Sequence, residues 1–150
     1  MECDGNGNTA DLQNWLASNG GASSTDACSS VTWTNDYSAL SDDCGASGSV
    51  LVTFTATDDC GNATMTSATF TIQDTTAPVI AALPATSTID CPATPVFAQA
   101  TATDACGSGV TLTFADTTAN GSCAGNYSVT RTWTATDICG NSSTATQTVN

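Results

Sequence analysis

Eight cysteines carry the most reactive chemistry in this chain: Cys3, Cys28, Cys44, Cys60, Cys91, Cys106, Cys123 and Cys139. No two are spaced as a Cys-x-x-Cys pair, and the sequence has no His. His-ligated zinc and Ser-His or Cys-His nucleophiles are therefore excluded. An even number of cysteines in a small, Lys-free, Thr-rich chain reads instead as four disulfides closed in an oxidising compartment.

Carboxylates are the second group with chemistry to offer. Asp4-Gly5-Asn6-Gly7-Asn8, with Asp11 nearby, has the alternating oxygen ligands of a calcium loop. It departs from the EF-hand pattern, because Thr9 takes the sixth-position Gly and Trp15 the place of the bidentate Glu. The competing reading is a Gly/Asn turn leading into a helix. Asp58, Asp59, Asp74 and Asp90 form a second set, for interdomain calcium, although Asp is equally at home in turns. Calcium is thus a candidate ligand, with no cofactor required. Asp58 and Asp137 end their strands on the inward side, where hydrogen bonding to the Asp-x-Cys-Gly-Asn turn is the simpler role. Glycoside hydrolysis needs paired carboxylates, and only turn Asp residues are on hand. No catalytic residue is assigned, and the chain reads as a non-enzyme.

Composition narrows the partners. The 150 residues hold 14 acidic side chains and one basic one, Arg131, for a net charge of −13. Phosphate neutralisation and polybasic membrane contact both need Lys and Arg, so nucleic acid is excluded as a partner. No apolar run approaches the roughly 18 residues of a membrane span, so no direct membrane insertion is expected. Met1 is followed by no basic and then apolar segment, which reads as a slice of a longer secreted chain. The 29 Thr and 16 Ser, with β-branched and aromatic residues among them, are a strand composition.

An internal duplication organises these residues. Thr55-Ala56-Thr57-Asp58-Asp59-Cys60-Gly61-Asn62 recurs as Thr134-Ala135-Thr136-Asp137-Ile138-Cys139-Gly140-Asn141. Thr25-Asp26-Ala27-Cys28 recurs as Thr103-Asp104-Ala105-Cys106, and Cys44 matches Cys123. Residues 1–73 and 79–150 follow as two homologous domains joined by a short, stiff linker, 74–78, in which Pro78 cannot donate to a ladder. Period-two alternation sets Val50, Val52, Phe54 and Ala56 against Leu51, Thr53, Thr55 and Thr57. In the second copy Val129, Arg131, Trp133 and Ala135 oppose Thr130, Thr132, Thr134 and Thr136, and Val110, Leu112 and Phe114 alternate with Thr. Segments near 79–89, 96–104 and 142–149 complete about five strands. The fold class is all-β: two tandem Ig-like β-sandwich domains, disulfide-stapled. One helix, about 9–19, is inserted in the first domain, capped by Thr9, with Leu12, Trp15 and Leu16 on its apolar face. The first domain lacks the strand that should precede Cys3, either because the sequence is cut there or because a neighbour donates it in a polymer.

Four cysteines per domain allow three pairings. Cys123 and Cys139 flank a strand of about ten residues, roughly 33 Å long, whereas a disulfide needs Cα atoms within about 7 Å. Following the strands up and down pairs Cys91–Cys123 and Cys106–Cys139, and by the internal repeat Cys3–Cys44 and Cys28–Cys60. Arg131 stands on an inward face where the first copy has Val52, and either pairs with an Asp or snorkels outward. The Thr ladders resemble arrays that bind ice or polysaccharide, but Thr also simply fills solvent faces of strands. Trp33 and Trp133 fall at core parity, which weakens the alternative of a carbohydrate- or polymer-binding module.

The Thr-Ala-Thr-Asp-x-Cys-Gly-Asn motif and the junction Asp74-Thr75-Thr76-Ala77-Pro78-Val79-Ile80 resemble the HYR-like, Ig-fold repeats of very large Bacteroidetes surface proteins, the SprB-like gliding adhesins. The resemblance spans essentially the whole chain. It implies an extracellular repeat exported by the type IX system, serving as stalk or filament of an outer-membrane-attached surface adhesin. It implies neighbouring repeats of the same chain as partners, together with an external surface or polysaccharide.

Overall fold

The structure, a computed structural model, describes residues 1–107 and 109–150. It is all-β apart from one helical insertion, and the chain divides into two compact units, Met1–Asp74 and Thr75–Asn150.

In the first unit the helix α1 (Thr9–Ala17) precedes an antiparallel sheet of β1 (Val31–Asn35), β2 (Gly48–Asp58) and β3 (Ala63–Ile72), in the order β1-β2-β3. The register pairs Trp33 with Ala56 and Val50 with Phe70. Alternation then turns Val52, Phe54, Ala56, Phe70 and Ile72 inward, where all five are buried. Each large apolar side chain withdrawn from water this way contributes roughly 1.5–3 kcal/mol. α1 supplies the covering layer. Leu12 is buried, and the Trp15 ring meets Phe54 edge-on at 5.3 Å and Phe70 at the same distance. Just after the helix, Gly20 adopts φ 64° directly over Phe54, and a Cβ there would lie 2.7 Å from that ring. Only Gly permits both the left-handed turn and the close approach.

The helix start differs from expectation. Thr9 is its first residue, and the N-cap is Asn8, which sits in the left-handed region with no side-chain cap hydrogen bond. The Asn8 side chain is already committed to Glu2 and Asp11, and its oxygen to the Asp4 N–H.

The second unit repeats the sheet with β6 (Thr111–Asn120), β7 (Tyr127–Thr136) and β8 (Ser142–Val149), after two short strands, β4 (Val79–Ile80) and β5 (Ala102–Thr103). Trp133, Ala135, Gln147 and Val149 are buried on the inner face. The strands expected near 79–89 and 96–104 shrink to two residues each. Pro84, Pro92 and Pro95 remove the N–H groups a ladder would need, so most of 81–101 covers the sheet as irregular chain. It is tied down at points: Phe97 packs on Trp133 at 6.2 Å, and the Ala98 N–H donates to the buried Gln147 side chain.

Candidate functional site

The two copies bring the cysteines to the ends of their sheets. Cys3, Cys44, Cys106 and Cys139 are disulfide-bonded. In the first unit Cys3 donates its N–H to Gln73, and Cys44 lies just ahead of Gly48, whose register partner is Ile72, so both occupy one end of the sheet. In the second, Cys106 precedes β6 and Cys139 follows β7, with Thr111 opposite Thr136. Cys28, Cys60, Cys91 and Cys123 are exposed free thiols. The expected pairs Cys28–Cys60 and Cys91–Cys123 are thus not closed in the structure, although residues beside them meet. Ser30, two residues after Cys28, donates to both Asp59 carboxylate oxygens at 3.0 Å, next to Cys60. Cys91 Sγ lies 3.7 Å from the Gly125 carbonyl, two residues past Cys123.

The two Asp-x-Cys-Gly-Asn turns are built alike. Asp58 accepts from the Cys60 and Asn62 N–H groups and from the Asn62 amide at 2.7 Å. Asp137 accepts from the Asn141 N–H and from its amide, both at 2.9 Å. The Asn62 side chain, with these N–H groups, holds the Asp58 carboxyl below the usual range. Burial pushes Asp137 up, but Asn141 and the Gly140 and Cys139 N–H groups outweigh it and hold that carboxyl low as well. Both carboxylates accept the donors of their own turn.

The Asp4 loop is held by hydrogen bonds of its own. Asp4, Asn6, Asn8 and Asp11 are brought together, and one side-chain oxygen each of Asp4, Asn8 and Asp11 accepts from a protein donor. One Asp4 oxygen accepts from the N–H of Asn6 at 2.8 Å and of Asn8 at 2.9 Å, which lowers its pKa. The Asn8 oxygen accepts from Asp4, and Asp11 accepts from the Asn8 amide. The residues of the interdomain calcium set lie in both units. In the first unit Asp58 ends β2 and Asp59 follows it, while Asp74 follows the end of β3 paired with the start of β2, roughly 33 Å away. Asp90 lies beyond the end of β8, where Ile89 donates to Asn150, whereas Pro78, beside the junction, accepts from Ser143 near its start.

Arg131 takes the first of its two expected roles. Its Nε and Nη2 donate to the two Asp116 oxygens, each at 2.7 Å. The guanidinium lies 4.4 Å from the Phe97 ring centre and 3.9 Å from that of Phe114, a cation stacked between two aromatic faces. The Arg131 contact holds Asp116 low, and Asp116 in turn raises Arg131. Phe114, placed by its parity toward the core, is 59% exposed, with only the Arg131 guanidinium shown against its ring among the described residues. Sequence reasoning missed this patch; the prolines that keep 81–101 irregular were its one signal.

The outer faces carry the Thr ladders. Across β6-β7-β8 the register stacks Thr113, Thr134 and Thr144, then Ala115, Thr132 and Thr146, then Thr117, Thr130 and Thr148. In the first unit Leu51 and Met65 interrupt the equivalent face, 66% and 71% exposed.

Fold and cysteine frame together define the class, an Ig-like module stapled at its ends. Residues 79–150, the second unit, match the model of the family of HYR-like domains with 4 cysteines. No curated protein matches the chain. Among solved structures it is similar to a protocadherin gammaB7 EC3-6 cis-dimer, with 16% identity and a TM-score of 0.35, covering 79% of this chain and 41% of that one. It is also similar to the protocadherin gammaB4 extracellular domain, with 15% identity and a TM-score of 0.33, covering 79% and 27%. The chain thus spans less than half the length of either.

Proposed function

We propose that this chain is a repeat segment of a large secreted cell-surface adhesin, with a stalk or filament role in surface adhesion and gliding motility. The observation that carries the reading is the consecutive pair of four-cysteine sandwich units, one of them matching the HYR-like family. Such units suit load-bearing in series, each a small core reinforced by disulfides worth roughly 2–4 kcal/mol apiece. The pairs Cys28–Cys60 and Cys91–Cys123 close in the oxidising exterior, alongside Cys3–Cys44 and Cys106–Cys139. Export by the type IX system, outer-membrane attachment and a non-catalytic role belong to the same reading. Its test is an immunoblot and surface labelling of intact source cells with antibody to the chain. A band of several-fold higher mass with label on external filaments supports it. A soluble band at the mass of the chain alone overturns it.

A further inference from the structure

The inner face of β6 is exposed from Phe114 to Asn120, with Leu112 half-buried. Leu112, Phe114, Asp116, Thr118 and Asn120 share that face, opposite Ala135, Trp133, Arg131, Val129 and Tyr127 in turn. At the Asn120 end the face opens into a cavity of about 600 Å³, within the roughly 300–1,000 Å³ of small-molecule sites. Its walls mix apolar and polar groups: Ile89, Pro95 and Tyr127 with Asp90, Asn120 and Asn126. Tyr127 is 40% exposed. Phe114 stands six residues along the same face, roughly 20 Å away, with one ring side on Arg131.

The first unit closes this same place. Gly48 occupies the position that Tyr127 holds in the second copy, and Ser41 folds over it. A Cβ on Gly48 would lie 2.0 Å from the Ser41 carbonyl oxygen, while Ser41 and Ser49 exchange hydrogen bonds at 2.8 Å. The second copy thus replaces a Gly packed under a loop by an aromatic ring at the edge of a cavity.

We propose that this trough and cavity bind a neutral saccharide chain; the inference deepens the adhesin reading by giving it a ligand class. A sugar ring presents an apolar C–H face and a rim of hydroxyls that both donate and accept. Aromatic surfaces at Tyr127 and Phe114 match the first. The amides of Asn120 and Asn126, the Asp90 carboxylate and the Asp116–Arg131 pair match the second. Charge selects against anionic polymers: the one basic side chain is already engaged by Asp116, in a chain of net charge −13.

The test is affinity electrophoresis of the 150-residue chain in gels containing dextran, laminarin or agarose oligosaccharides, with alginate as the anionic control. Retardation by at least one neutral polymer and none by alginate is expected. Tyr127→Ala should weaken it by roughly tenfold and Phe114→Ala by less, while Met65→Ala on the first unit leaves it unchanged. Far-UV circular dichroism and thermal melting of each variant separate lost binding from lost folding. No retardation by any neutral polymer, equal retardation in Tyr127→Ala, or retardation by alginate overturns the proposal. So does concentration-dependent dimerisation abolished by Phe114→Ala, which would make the patch a protein interface. Surface labelling of cells is unaffected by any of these outcomes, so the adhesin reading stands or falls separately.

Discussion

The two units share a three-stranded sheet and differ in what lies over it. In the first, a helix lays Leu12 and Trp15 across Phe54 and Phe70, and a loop closes over Gly48. In the second, a proline-interrupted segment offers Phe97 to Trp133 and Arg131, and the inner side of β6 stays bare. A helix satisfies its own backbone and can devote one face to burial, whereas irregular chain must be anchored at separate points such as Ala98–Gln147. One scaffold thus yields a closed module and an open one, and the open one keeps the surface suited to a ligand.

The largest test of that difference is truncation of the two lids. Trp15→Ala should destabilise the first unit by about 2–4 kcal/mol, and Phe97→Ala the second by about 1–2 kcal/mol, read from denaturant midpoints. Equal losses would break the comparison. Next comes the Gly48/Tyr127 position. Gly48→Ala should cost about 1–3 kcal/mol through its clash with Ser41, while Tyr127→Ala at the open cavity should change stability by less than about 1 kcal/mol.

Acid sharpens what the units have in common. The folded-state pKa values of Asp58 and Asp137 lie below the unfolded value of about 3.9, so their contribution is present above that pH and is lost as pH falls through the depressed values. The stability gap between the native chain and Asp58→Asn or Asp137→Asn should therefore be full at neutral pH and narrow below about pH 4. Thermal melts across that range check it. The smallest effects are expected at the outer faces, where Leu51→Thr and Met65→Thr should shift stability by no more than about 0.5 kcal/mol.

Much of this was legible in the sequence. The period-two runs over 50–57 and 129–136 name the inward residues because strand geometry leaves no other parity for Val52, Phe54 and Trp133. The Asp-x-Cys-Gly-Asn turns were equally readable, since the hydrogen bonds of Asp58 and Asp137 are local. The exposure of Phe114 was not, because parity says which way a side chain points and nothing about whether another layer reaches it. The cap at Asn8 was hidden for a related reason. Thr9 fits the role by type, but Asn8, whose side chain bonds Glu2 and Asp11 on either side of it in sequence, takes the cap position.

The central claim is that one disulfide-framed module occurs twice in an oxidising exterior, and peptide mapping of the secreted protein tests it most directly. The account predicts Cys3–Cys44, Cys28–Cys60, Cys91–Cys123 and Cys106–Cys139, with no thiol left to alkylate. Recovery of Cys44–Cys60 or Cys123–Cys139, or of Cys28, Cys60, Cys91 and Cys123 as free thiols, would contradict it.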